Sequence, residues 1–161
     1  MKKLIKFTTM ILVVFAFTST SGLPNVTLKT LKGKSININE LGQGDKPVIL
    51  SFWSTHCAPC LRELKAVKAV YQDWQDETGV ELYAIAVDDN SSVSKVKPMV
   101  NRFGWDYTVL LDTDGELKRA MHVTDPPFLF IVHKGKIVYK HTGYTTGSED
   151  EVYDKLIEIT K

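Results

Sequence analysis

Cysteine is scarce in this 161-residue chain: there are two, Cys57 and Cys60, with only Ala58 and Pro59 between them. That excludes the disulfide framework of small secreted domains, which needs several bridges joining distant parts of the chain. One bridge at this spacing closes almost no loop, removes little entropy from the unfolded chain and makes a poor staple. No apolar run is long enough to span a bilayer comfortably, which takes roughly 20 residues. No basic stripe with interleaved aromatics occurs, so a nucleic-acid partner has no support. Internal repeats, low-complexity tracts and a second domain are also missing. No acidic residue precedes Glu40.

That last absence goes with a positive feature. Lys2, Lys3 and Lys6 form a basic start, Met10 to Phe17 an apolar centre, and Thr18 to Gly22 a small, polar tail. The pattern predicts a signal peptide over residues 1–22, or an N-terminal anchor through residues 4–20. Either places the domain at 23–161 outside the cytoplasm, in the periplasm or its equivalent. Losing residues 1–22 would shift the formal net charge from +1 to −2. No cysteine lies near the tail, so a lipid-modified N-terminal cysteine is excluded.

The rest of the chain has a composition ordinary for one soluble domain, 43% hydrophobic and 24% charged over the whole sequence, enough to bury a core. Val26 to Leu28 and Ser35 to Ile38 alternate around Lys32-Gly33, the mark of a hairpin. Val48 to Trp53 is an unbroken buried strand. Leu61, Leu64, Val67, Tyr71 and Trp74 recur at steps of three and four, which predicts a helix that Gly79 ends. Arg62, Glu63, Lys65 and Lys68 mostly fall off that apolar face. Val80 to Val87 is a second buried strand, and Asp88 to Ser92 a capped, solvated loop. Ser92 to Phe103 has helical character, with a kink or break expected at Pro98. Tyr107 to Leu111 reads as a strand and Glu116 to His122 as a short helix. Phe128 to Val132 and Lys136 to Tyr139 form a hairpin about Lys134-Gly135. A capping box at Ser148 to Glu151 opens the last helix. Strands alternating with helices imply an α/β sandwich around a central mixed β-sheet flanked by helices, preceded by an N-terminal β-hairpin.

Chemistry converges on Trp53-Ser54-Thr55-His56-Cys57-Ala58-Pro59-Cys60, where the first buried strand hands over to the long helix. Active sites of such sheets lie at the C-terminal ends of strands. A cysteine at a helix start meets the positive end of the helix dipole, which stabilises the nucleophilic thiolate. Two sulfurs at this spacing can alternate between dithiol and disulfide.

These residues resemble the thioredoxin fold, and more narrowly the exported TlpA/ResA-like thiol–disulfide oxidoreductases. The resemblance runs from about Val26 to the C-terminus. It rests on Phe52-Trp53, Cys57-Ala58-Pro59-Cys60, Glu63 and Pro127 ahead of a hairpin strand. It implies a thioredoxin-like sandwich in which Cys57 attacks and Cys60, the buried partner, resolves. It also implies that Glu63 tunes thiol protonation and that Pro127 is a cis-proline facing the pair. Trp53, His56, Pro126 and Pro127 are the expected substrate-side residues, with Trp53 packing beside the site. Pro126 lacks an N–H for a docking strand. No cofactor is implied. Partners would be protein disulfides or dithiols and a membrane thiol reductase that recycles a monomeric enzyme, acting as a reductant, for instance on apocytochrome thiols.

Two departures matter. Thioredoxins proper carry a buried Asp where this chain has Ser51, so Glu63, His56 or water must accept the buried thiol's proton. Many relatives have Pro where this chain has Lys65, so the usual helix kink is expected to be absent here.

Two rivals can be framed from the same residues. His56, Cys57 and Cys60 could bind copper or zinc, with a fourth ligand from His122, His133 or His141, none at a recognisable ligand spacing. Ser54-x-x-Cys57 faintly matches a peroxidase motif, but Leu50 stands where that motif needs Pro.

Overall fold

A computed structural model describes residues 22–161. The predicted signal peptide, but for its last residue Gly22, and the predicted anchor lie outside the described residues. Strands β1 (Thr27–Thr30), β2 (Ser35–Asn37), β3 (Val48–Trp53), β4 (Glu81–Ala86), β5 (Thr108–Leu111), β6 (Phe128–His133) and β7 (Lys136–Thr142) join in one sheet of order β2-β1-β5-β4-β3-β6-β7. The β3–β4 and β4–β5 pairs are parallel, and every other pairing is antiparallel. Helices α1 (Ala58–Thr78), α2 (Val96–Phe103), α3 (Glu116–Ala120) and α4 (Ser148–Thr160) flank it. The fold is the mixed α/β sandwich expected, with the β1–β2 hairpin added at one edge.

β3 is the central strand of the site, and all six of its residues are buried. Alternation sorts them between two cores. Val48, Leu50 and Phe52 join Ile85, Leu110, Phe130 and Leu117 on one face. Ile49 and Trp53 face the other way, against Leu64, Val67, Tyr71 and Trp74 of α1 and Leu156 of α4. Ser51 shares their face, flanked in the sheet by Ala84 and Leu129. Burying each large aliphatic side chain stabilises the fold by about 1.5–3 kcal/mol, so α1 is held by its apolar stripe rather than by helix propensity.

α1 runs from Ala58 to Thr78 without interruption and ends on Gly79, whose φ of 69° suits a residue without Cβ. Lys134 and Gly135 both have positive φ, the conformation that lets a two-residue turn follow the twist of β6 and β7.

Four expectations need correction. Pro98 neither kinks nor breaks α2: a 3-10 turn at Val93–Lys95 leads into that helix, and Pro98 is its third residue. Its missing N–H falls among the first-turn groups that lack intrahelical acceptors. Ser148 is not a cap; Gly147 holds that place, and the Glu149 carboxylate accepts from the Gly147 N–H. Glu63 is buried rather than off the apolar face, and Asp88 is buried rather than solvated.

Candidate active site

Cys57 is the N-cap of α1, and its sulfur accepts the Cys60 N–H across 3.2 Å. Ser54 O accepts the Cys57 N–H, so a tight turn carries the chain from β3 into the helix. Ala58 and Pro59 are the first two helical residues, where the absent N–H of Pro59 is no loss. Cys57 and Cys60 form a disulfide with Cα atoms 5.3 Å apart. The two sulfurs differ sharply in access: Cys57 is half-buried, while Cys60 is fully buried in the core against α1's apolar stripe.

The loop before β6 completes the site. The Pro126–Pro127 peptide is cis, and Pro126 O lies 3.6 Å from Cys57 Sγ. Pro127 is buried, and its carbonyl accepts the Gly143 N–H from the far end of β7.

Glu63 follows Cys60 by three residues and therefore lies on the same side of α1. It is only 4% exposed, and Ser51 Oγ donates to its Oε2 across 3.1 Å. Burial pushes its carboxyl up to about 7, with the Ser51 hydrogen bond opposing and the charge of Glu149 adding to the rise. The side chain at the position of the missing Asp is thus joined to a carboxyl contributed from the helix.

His56 is exposed. Its Nδ1 lies 3.3 Å from Thr55 Oγ1 and 3.7 Å from Asp88 Oδ1, and its Nε2 lies 3.4 Å from Lys95 Nζ. Trp53 is wholly buried and meets Trp105 edge-on at 5.0 Å. The indole packs beneath the site and, wholly buried, presents no surface to a substrate.

Sequence reasoning missed Thr55 and Asp88. The buried Asp88 carboxylate accepts both the N–H and the hydroxyl of Thr55, tying the turn before Cys57 to the end of β4. The available signal was position: Asp88 follows a strand that pairs in parallel with β3, so it reaches the same sheet end as the cysteines.

The metal reading loses its ligand set here. Both sulfurs are bonded to each other, His56 faces Asp88, and no group of three or more His, Cys, Asp or Glu assembles to hold a metal among the described residues. Leu50, where a peroxidase motif needs Pro, is buried in the middle of β3.

A mixed sheet with a Cys–x–x–Cys disulfide at a strand-to-helix junction, facing a cis-proline, defines a thioredoxin-like redox protein. Residues 20–141 match the AhpC/TSA family. The thiol–disulfide oxidoreductase ResA of Halalkalibacterium halodurans is 32% identical over 139 residues, covering 85% of this chain and 74% of that protein. ResA of Bacillus subtilis is 33% identical, covering 86% and 75%. A thioredoxin-like protein from Porphyromonas gingivalis, solved in solution, superposes with a TM-score of 0.75 at 52% identity, covering 86% of this chain and 91% of that one. The chain belongs to the AhpC/TSA family and, within it, to the ResA-like thiol–disulfide oxidoreductases. It is an enzyme of thiol–disulfide exchange.

Proposed function

We propose that the enzyme reduces disulfides in exported proteins, with Cys57 as nucleophile, Cys60 as resolving thiol and Glu63 as the group that moves the buried proton. The observation that carries this reading is the asymmetry of the sulfurs: one half-exposed at a helix start beside Pro126, the other sealed in the core.

The Cys57 thiolate attacks a substrate sulfur; a Cys57–substrate bond forms, the substrate disulfide breaks, and the departing substrate thiolate takes up a proton. The Cys60 thiol gives its proton to Glu63 and attacks Cys57 Sγ. The Cys57–Cys60 disulfide closes and the second substrate thiolate leaves. Two electrons pass from the cysteine pair to the substrate.

Direction follows from electrostatics. A carboxyl behind the pair raises the thiols' pKa when ionised, so the reduced form lacks the thiolate stabilisation that makes an oxidant. Recycling then requires an external dithiol, for which a membrane thiol reductase is the fitting partner. The basic and apolar N-terminus supports export through a signal peptide or anchorage through residues 4–20. No helix among the described residues is long and apolar enough to cross a membrane. A monomer suffices, since every proposed role lies on one chain.

The test is a trapping experiment in cells. Cys60→Ser is expected to accumulate mixed disulfides with exported proteins, and Cys57→Ser to accumulate none and lose insulin reduction. Absence of adducts with Cys60→Ser would overturn the assignment.

A further inference from the structure

An open pocket of about 390 Å³ adjoins the disulfide and has no part in the exchange steps. Pro126, whose carbonyl touches Cys57 Sγ, is one of its walls, so a polypeptide reacting at Cys57 passes its mouth. Asp88, Asp89, Lys95 and Lys118 supply its charged lining, with the His56 ring beside them. We propose that this pocket is a subsite for a carboxylate side chain of the substrate polypeptide, near its reacting cysteine, held by Lys95 and Lys118.

The carboxylates already present are engaged. Asp88 has a fully buried side chain whose oxygens accept from Thr55. Asp89 directs Oδ1 onto the N–H and hydroxyl groups of Ser91 and Ser92. The cations are not matched in the same way. Neither Lys95 nor Lys118 forms an ion pair among the described residues. Lys95 Nζ meets only the ring nitrogen Nε2 of His56, which acts there as acceptor. Lys118 is held at the pocket by its backbone: Asp112 accepts the Lys118 and Leu117 N–H groups and fixes the first turn of α3.

Two lysines without a carboxylate partner therefore line a space open to substrate. The volume lies near the lower end of the roughly 300–1,000 Å³ of small-ligand pockets, which suits one side chain better than a cofactor. A substrate Asp or Glu would supply the missing acceptors, whereas a substrate Lys or Arg would meet two like charges.

The inference rests on the proposed exchange at Cys57 and is tested so that the two can fail separately. Three synthetic disulfide peptides, identical except for Glu, Gln or Lys beside the reacting cysteine, are reduced by the full enzyme at low and high salt. In the parent enzyme kcat/KM for the Glu peptide should exceed that for the Gln peptide by about fivefold, the scale of a solvent-accessible ion pair, and the gap should shrink with salt. In the Lys95→Gln/Lys118→Gln variant the Glu-to-Gln ratio should collapse to about one. A parent ratio near one, a preference for the Lys peptide, or a ratio untouched by the double substitution would overturn the subsite. No reduction of the Gln peptide by the parent would instead sink the proposed function, and the subsite with it.

Discussion

Ser51 Oγ donates to Glu63 Oε2 across 3.1 Å, joining the middle of β3 to the second turn of α1 inside an otherwise apolar core. The contact follows from two periodicities: Ser51 alternates onto the helix side of the sheet with Ile49 and Trp53, and Glu63 lies one turn beyond Cys60. One hydroxyl cannot repay the dehydration of a carboxylate, which is why the Glu63 carboxyl titrates near 7 instead of 4.5.

Stability should therefore fall as pH rises through that window. Between 4.5 and about 7 the folded protein keeps a proton that the unfolded chain has lost, so folding is favoured at the acid end and the deficit is complete above 7. Glu63→Gln keeps an acceptor for Ser51 and removes the charge. Urea unfolding of the oxidised variant should show a gain of up to about 3 kcal/mol at pH 8 and almost none at pH 4. An equal gain at both pH values would show that the charge is not the cause.

The same substitution should alter the reduced thiols in the opposite sense to a simple structural lesion. Removing an anion near the sulfurs favours the thiolate, so the lower of the pair's two apparent pKa values should drop by about 0.5–1 in Glu63→Gln. The pH dependence of iodoacetamide labelling measures this. Resolution should slow at the same time, because Gln cannot accept the Cys60 proton, and insulin reduction near pH 7 should decline by about tenfold or more. An unmoved labelling profile with a normal turnover rate would remove Glu63 from the chemistry.

The sheet and the cysteine junction were legible because their signals are local. Val48 to Trp53 is apolar without a break, and β3 occupies that stretch. Lys134-Gly135 carries its own turn preference, and Gly79 marks the helix end by being able to take a positive φ. Burial of charged side chains was less legible. Glu63 and Asp88 both looked solvated by residue type, because hydrophobic patterning assigns a carboxylate to water unless a partner is known. Their partners, Ser51 and Thr55, lie 12 and 33 residues away in sequence and meet them only after the sheet has formed. The expected cap at Ser148 failed for a related reason: Glu149 could reach Gly147, so the helix gained its N-terminal acceptor from inside the first turn rather than ahead of it.

The Thr55–Asp88 contact gives the sharpest test of how the nucleophile is held. Asp88 accepts the Thr55 N–H at 3.0 Å and the Thr55 hydroxyl at 2.5 Å, and both residues are buried. Asp88→Ala would leave the Thr55 N–H buried without a partner and the hydroxyl with only the His56 ring nitrogen, and should cost about 2–4 kcal/mol, measured by urea unfolding of the oxidised protein. Thr55→Val removes one donor but keeps the N–H for Asp88, so its cost should be smaller, about 1–2 kcal/mol. Activity should follow a different order from stability. The turn from Ser54 to Cys57 is placed by this contact, and a misplacement of the sulfur relative to Pro126 O should lower kcat for insulin reduction by about tenfold or more in Asp88→Ala, even where the protein is fully folded. Equal kcat in the parent and in folded Asp88→Ala would show that the helix start alone positions Cys57.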